Sequence, residues 1–389
     1  MQKVISTERI PIKLWLSDIE EGALQQAKNL ANLPFSFNHI ALMPDCHEGF
    51  GMPIGGVLAT KEVIIPNAVG VDIGCGMCAV KTSLTDISKN NLKKLLDKIK
   101  TLVPVGFNHH KHKQDFSLMP SAANIITNGI VEKEFENARA QIGTLGGGNH
   151  FIEIQKGSDN HIWIMIHSGS RNMGLKVAEH YNKTAKQLNE RWHSSIDKAK
   201  DLAFLPITTD EAQNYINEMQ YCVDFAFANR KLMMNQVEHA MAEQFQKEYK
   251  QLDFVNIAHN YARYENHFNS ELIIHRKGAT SALEGEIGII PGSQGTKSYI
   301  VRGKGNIQSF KSCSHGAGRK MGRKQAQRTL NLNEEISNLD KKGIIHAIHS
   351  TKDLDEAPGA YKNIDVVMEN QNDLVEIVIE LSPLAVIKG

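Results

Sequence analysis

The sequence predicts an α+β fold, built as a single domain over residues 1–389 with a helical insertion at about 174–249. Three observations predict it. Apolar runs are short and bounded by glycine or polar residues, as in Phe151-Ile152-Glu153-Ile154 and Ile162–Ile166, the pattern of buried strands. Residues 209–248 contain neither Pro nor Gly, which only a long helix sustains. Strands and helices interleave irregularly and no repeat is present, which points to one α+β domain.

Taken in order, residues 1–85 read as short strands between glycine-rich turns, after one helix near 17–32. Within them Met43–Gly56 is so rich in Gly and Pro that tight turns are expected. A helix near 87–101 precedes the run His109-His110-Lys111-His112-Lys113. Strands at 151–154 and 162–166 come next. Two long helices then fill 174–249, with Pro206 between them, as a clamp, a lid or an oligomer surface. Strands return at 254–258, 271–275, 287–290 and 298–302. A helix is expected to open just after Gly318, running through Arg319, Arg323 and Arg328, and a strand at 374–381 closes the chain.

At 389 residues the chain can bury a sizeable core. With 41% apolar and 22% charged residues it has a globular composition and no membrane-spanning run. Charge and proline interrupt residues 1–15, so no signal peptide is expected and the cytoplasm is the expected compartment. A net charge of +1 excludes a protein that coats nucleic acid electrostatically; a nucleic-acid partner needs a local patch. The regions offering one are His109–Lys113, Arg276-Lys277 and Arg319–Arg328. Five cysteines, an odd and scattered set, point to packing or metal ligation and away from a disulfide framework.

Chemistry concentrates where apolar runs end. Asp72 and Cys75 stand in Val-Gly-Val-Asp-Ile-Gly-Cys-Gly, and His150 follows Gly146-Gly147-Gly148-Asn149. His167 opens His-Ser-Gly-Ser-Arg, and His259 ends Val-Asn-Ile-Ala. One thiol, one carboxylate and several imidazoles suit a transition metal better than Mg²⁺ or Ca²⁺. The bland readings are an Asx turn with a buried cysteine at Asp72–Cys75 and structural histidines elsewhere. Cys75-x-x-Cys78 also fits a redox pair. Ser168-Gly169-Ser170-Arg171 offers hydroxyls, N–H groups and a guanidinium to phosphate oxygens. His315, in Ser-His-Gly-Ala-Gly-Arg, is set apart from the ligands as a candidate nucleophile, before a helix N-terminus that would favour an anion. Pro291–Ser298 is a polar glycine-rich turn able to hold a nucleotide, without P-loop spacing.

These segments together resemble the RtcB family of RNA-splicing ligases. The resemblance runs essentially the whole length: Met-Pro-Asp-x-His at 43–47, Asp-Ile-Gly-Cys-Gly at 72–76, Gly-Thr-Leu-Gly-Gly-Gly-Asn-His-Phe at 143–151, His-Ser-Gly-Ser-Arg at 167–171, and His-Asn-Tyr at 259–261. It continues in Arg-Lys-Gly-Ala at 276–279, Pro-Gly-Ser-x-Gly at 291–295, Ser-His-Gly-Ala-Gly-Arg at 314–319, Glu-Ala-Pro at 356–358, Ala-Tyr-Lys at 360–362 and Lys388-Gly389.

The resemblance implies a domain of short mixed strands around a metal centre. The implied activity joins RNA ends carrying a 3′-phosphate or 2′,3′-cyclic phosphate to 5′-hydroxyl ends, in tRNA splicing or RNA repair. It implies two Mn²⁺ ions on Asp72, Cys75, His150, His167 and His259, with the thiolate bridging, and GTP as co-substrate whose guanylate is transferred to His315. Asn149, Glu153, Ser293, Ser298, Tyr361 and Lys388 would hold the guanylate, beside Gly316, Ala317 and Gly318. Guanine selection would fall to a carboxylate, Glu153 or one in the tail. Asp45 would accept a proton or orient a neighbour, and Arg171 would contact RNA phosphate. An archease-like activator is a further implied partner, and no membrane is. Departures at Gly359, Gly322, Asn172-Met173 and Phe107–His110 leave these residues in place and bear on which RNA is bound. The competing readings are a two-metal phosphatase or nuclease without covalent guanylate, and a non-catalytic RNA-binding repair subunit.

Overall fold

The structure, a computed structural model, describes residues 1–389 apart from the side chain of Asn124. Two sheets dominate. The first, of six strands, runs in the order Lys3–Ile5, Ile12–Leu14, Ser36–Phe50, Met52–Thr60, Ser270–Lys277, Asn260–His267. The second, of seven, runs Gln251–Ala258, Gly76–Thr82, Ile162–Ser168, Phe151–Gly157, Val375–Lys388, Ser298–Gly303, Ile287–Ile290, each pair antiparallel. Eight α-helices accompany them among the described residues: α1 Glu21–Ala31, α2 Lys89–Leu102, α3 Ile130–Gln141, α4 Arg171–Arg191, α5 Asp210–Phe245, α6 Arg323–Thr329, α7 Leu332–Lys341 and α8 Ile364–Glu369. The α+β class read from the sequence holds, and so do α1, α2 and the two long helices. No helix among the described residues is long and apolar enough to cross a membrane.

The Ile162–Ser168 strand explains why the seven-stranded sheet is central. All seven of its residues are buried. Ile162, Ile164 and Ile166 face one apolar cluster with residues of α2 and α5, while Trp163 and Met165 face another. A strand covered on both faces must be apolar throughout, as the sequence is here.

Three expectations need correction. Residues 36–60 are not short strands parted by turns but a long hairpin, whose register shifts between Leu42 and His47 and again before Phe50. Glycine permits it: a Cβ on Gly55, at φ +83°, would lie 2.7 Å from the Cys46 backbone. The last strand does not stop at 381 but continues to Lys388, with an irregularity between Pro383 and Ala385 that absorbs the proline. No helix opens after Gly318; α6 begins at Arg323. Gly318, at φ +72°, crosses the hairpin so closely that a Cβ would meet the Asp45 carbonyl oxygen at 2.2 Å. The Asn260–His267 strand and helices α3, α7 and α8 lie outside the sequence expectations.

Helices α4 and α5 belong to the core, since Tyr181, Tyr215, Cys222 and Phe225 are buried together. That burial makes these faces part of the domain's core. On α5 the buried polar side chains include Asn229 and Arg230. Asn229 Oδ1 accepts from the Gly143 and Thr144 N–H groups at 2.7 and 3.2 Å, and Nδ2 donates to Thr144 O, Ser168 Oγ and Gly169 O. Arg230 donates through Nη1 to the carbonyls of Gly74 and Ser168 at 2.9 and 2.8 Å, and through Nε to Asn256 Oδ1 at 2.7 Å. One helix thus ties down the loops that follow or precede Cys75, His150 and His167. Asn229→Ala strands several buried backbone groups at once, so we expect a loss of about 2–4 kcal/mol in urea unfolding. A loss under about 0.5 kcal/mol would show that these loops hold themselves.

Candidate functional site

Register in the seven-stranded sheet brings the donors together. Met77 pairs with His167, Phe151 pairs with the same His167, and Ala258 pairs with Gly76. Cys75, His150 and His259 each sit one residue outside a strand end, and His167 sits one residue inside one, all on the same edge. Asp72 is carried on the turn just before Cys75. That turn is fastened to the His259 segment: His259 N–H donates to Cys75 O at 2.8 Å, Asn260 Nδ2 to Asp72 O at 3.0 Å, and Gly74 N–H to Asn260 O at 2.8 Å.

The resulting donor atoms form two groups, Cys75–His167–His259 and Asp72–Cys75–His150, each within 4.8 Å. Cys75 is common to both. Its Sγ lies 3.2 Å from His167 Nε2 and 3.5 Å from His150 Nε2, and Asp72 Oδ2 lies 3.2 Å from His150 Nε2. His167 Nδ1 is 3.1 Å from the Asn149 carbonyl, which can only accept, so Nδ1 carries the proton and Nε2 a lone pair. That lone pair faces His259 Nε2 at 3.4 Å. Burial, reinforced by neighbouring imidazoles, holds His167 and His259 well below the usual histidine range. Burial and then Asp72 raise the Cys75 thiol. Lone pairs, a carboxylate and a thiol packed this tightly suit a cation at their centre, which would draw off the thiol proton. The residues therefore fit a bound metal. Cys78 is outside both groups, its thiol against Arg230 O in the core, so the Cys75-x-x-Cys78 redox pair is not formed.

His315 reaches the same place from a small two-stranded sheet formed by Ala279–Ser281 and Ser312–Ser314. It follows the short Ser312–Ser314 strand, and its ring centroid is 4.8 Å from that of His259. Asp45, fully buried in the Ser36–Phe50 strand, accepts from His315 Nδ1 at 2.6 Å and from the backbone N–H groups of His315 and Gly316. Burial pushes the Asp45 carboxyl up, but the adjoining His315 outweighs it and the net shift is downward. With Nδ1 engaged, the Nε2 atom of His315 is the one left free.

Beside these groups lies a cavity of about 230 Å³. Of the residues singled out in the sequence, Asn149, Glu153, His167, Ser293, His315, Gly316, Ala317, Gly318, Tyr361 and Lys388 line it. Ser298 does not; its Oγ accepts from Gly292 N–H at 3.1 Å and meets Gln155 Nε2 at 3.2 Å beneath the loop. Glu153 is buried, accepts from Gln155 at 2.6 Å through Oε2, and has no partner for Oε1 among the described residues. Burial pushes its carboxyl up to about 8.

The opposite wall holds Glu356, which pairs with Lys388 at 3.0 Å, Arg319 at 3.3 Å and Arg323 at 3.2 Å, and accepts from Tyr361 Oη at 2.6 Å. Its partners overcome the burial penalty and lower its carboxyl below the ordinary range. Glu356 and Phe151 were not singled out as site residues, and Arg323 was named only as part of a basic patch at Arg319–Arg328. Only the Glu-Ala-Pro run and the place of Phe151 beside His150 pointed to the first two. Arg171 packs against the glycine loop, donating to Thr144 Oγ1 at 3.3 Å. Arg276 and Lys277 do not form a basic surface. Arg276 is buried on Glu265, and Lys277 donates to the carbonyls of Phe50 and Asn67.

The model of the family described as tRNA-splicing ligase RtcB matches residues 26–131 and 118–389. The chain is 39% identical to the RNA-splicing ligase RtcB of Escherichia coli K12, over 100% of this chain and 99% of that one. It is 32% identical to the tRNA-splicing ligase RtcB of Nanoarchaeum equitans and 30% identical to that of Thermococcus kodakarensis, in each case over 98% of this chain and 95% of the relative. With strand register, donor cluster and whole-length similarity in agreement, the chain belongs to the RtcB family.

Proposed function

We propose that the protein joins RNA 3′-phosphate ends, or 2′,3′-cyclic phosphate ends once hydrolysed, to 5′-hydroxyl ends, using GTP and two divalent ions, a transition metal by the thiol and imidazole donors and Mn²⁺ by the family resemblance. The observation that carries the reading is His315. Asp45 holds its Nδ1–H while Nε2 is left free beside a nucleotide-accepting cavity and against the metal donors. Asp72, Cys75, His150, His167 and His259 would hold the ions, which supply charge neutralisation for attack on a polyanion.

His315 Nε2 attacks the α-phosphorus of GTP, forming the P–N bond as pyrophosphate leaves. Asp45 accepts from Nδ1–H throughout and stabilises the positive charge that develops on the ring, so its role is to orient and not to carry the proton away. An oxygen of the RNA 3′-phosphate then displaces the imidazole, and the 5′-hydroxyl displaces GMP to close the phosphodiester. Glu153 Oε1, buried and without a partner, offers an acceptor for the N–H edge of guanine, and Phe151 and Tyr361 offer flat surfaces beside it. Lys388, Arg319 and Arg323, all paired with Glu356, are the Lys and Arg side chains that line the cavity. Arg171, beside the glycine loop, would meet RNA phosphate. The relatives named RNA- and tRNA-splicing ligases support RNA as the substrate.

The direct test is intact-protein mass after incubation with GTP and Mn²⁺. We expect a guanylate-sized gain for the wild type and none for His315→Ala. A wild type that stays unmodified, while either protein hydrolyses phosphate esters, would favour a two-metal phosphatase or nuclease instead. Asp45→Asn offers an amide that can donate to Nδ1 and so favours the wrong tautomer. We expect its single-turnover guanylylation to fall by about 10²-fold or more; an unchanged rate would remove Asp45 from the reaction.

Glu153 also predicts a pH effect. Its carboxyl rises from 4.5 to about 8 on folding. Between those values the folded protein holds a proton that the unfolded chain has released, so this group lowers stability as pH rises through the window. Glu153→Gln should flatten the decline of the melting temperature across that window and weaken selection of GTP over ATP. A mutant with the wild-type slope would show that Glu153 is ionised in the free protein.

A further inference from the structure

Between α2 and the His109–Lys113 run the chain makes a tight turn at Val105–Asn108 that the chemistry described so far leaves unused. Phe107 is at its apex and is 99% exposed, the most exposed large apolar side chain among the described residues. A single exposed apolar residue is ordinary; three features set this one apart.

The turn is held firmly. Gly106, at φ +65°, donates its N–H to Gly146 O at 3.1 Å, Asn108 donates to Val105 O from both backbone and side chain, and His110 N–H donates to Ala140 O at 3.0 Å. The turn also lies on the glycine loop that leads into Asn149 and His150. A Cβ on Gly147 would find the Gly106 Cα as its nearest neighbour, at 4.0 Å. Guanidinium groups flank that same loop. A Cβ on Gly146 would fall 2.2 Å from Arg171 Nη1, and one on Gly148 3.1 Å from Arg323 Nη2. His109, Lys111 and His112 are exposed just beyond.

An aromatic ring carried on a hydrogen-bonded backbone turn beside guanidinium groups is the arrangement that grips single-stranded nucleic acid. We propose that Phe107 is a stacking platform for a nucleobase of the RNA close to the ends being joined, with Arg171 and Arg323 taking the flanking phosphates. Stacking on a π-face tolerates any base, so this contact would place the strand without selecting its sequence. The inference rests on the reading of the chain as an enzyme that acts on RNA.

The test measures binding of a fluorescent single-stranded RNA bearing a 3′-phosphate, by anisotropy and without GTP, so it does not depend on guanylylation. Stacking is worth about 1–3 kcal/mol per base, so Phe107→Ala should bind about 5- to 150-fold more weakly. Its melting temperature should not change, because the side chain packs on nothing. Phe107→Trp should keep wild-type affinity and show indole quenching on RNA binding, read in a Trp192→Phe background to remove the other exposed indole. Wild-type RNA affinity in Phe107→Ala, or equal loss in Phe107→Trp without quenching, would overturn the proposal. Intact RNA binding with loss of response to an activator protein would also overturn it, making the turn a protein-docking site. A wild type that binds RNA through Phe107 yet takes no guanylate would leave this inference standing and defeat the proposed ligase mechanism.

Discussion

The rest of the site depends on the antiparallel register of four neighbouring strands, Gln251–Ala258, Gly76–Thr82, Ile162–Ser168 and Phe151–Gly157. Because strands enter and leave this edge alternately, residues at a strand start and residues at a strand end become neighbours. His150 and Cys75 precede strands, while His167 and His259 close them. A one-residue slip would turn His167 to the opposite face, and no loop adjustment could return its Nε2 to Cys75. The wholly apolar composition of Ile162–Ile166 resists such a slip less by alternation than through the unequal clusters on its two faces, isoleucines on one and Trp163 and Met165 on the other.

A site built on strand ends needs its loops held as firmly as its strands. Asn229 and Arg230 provide this from α5, converting a helix that reads as a separate insertion into the support of the Cys75, His150 and His167 loops. The His315 side is secured independently: Asp45 comes from the first sheet and fixes both the ring and the backbone of His315. The donor cluster and His315 are therefore positioned by different sheets that meet at His259 and His315. A substitution on one side can disturb its own half of the chemistry and leave the other formed.

Much of this was legible in the sequence for a physical reason. Ligands at strand mouths announce themselves as polar residues ending apolar runs, and His167 after Ile162–Ile166 is the clearest case. The five metal-ligand candidates and most of the nucleotide-contact candidates come together in space. Other features were hidden because their cause is tertiary. Nothing local distinguishes Asn229 and Arg230 from residues on a solvated helix face. Arg276-Lys277 looks basic and exposed, yet Glu265 and backbone carbonyls neutralise and bury the pair. The glycines at 316 and 318 suggested a helix start, whereas Gly318 serves close packing on Asp45. Met43–Gly56 suggested turns because its glycines allow a tightly crossed hairpin, which local propensity reads the same way.

The account stands on Cys75 being shared by two donor groups, and metal binding tests that most directly. Mn²⁺ titration followed by electron paramagnetic resonance should give two ions per chain whose spins are coupled through a common thiolate, with coupling and the tighter stoichiometry lost in Cys75→Ala. A single bound ion, or two ions that remain magnetically independent in the wild type, would contradict it.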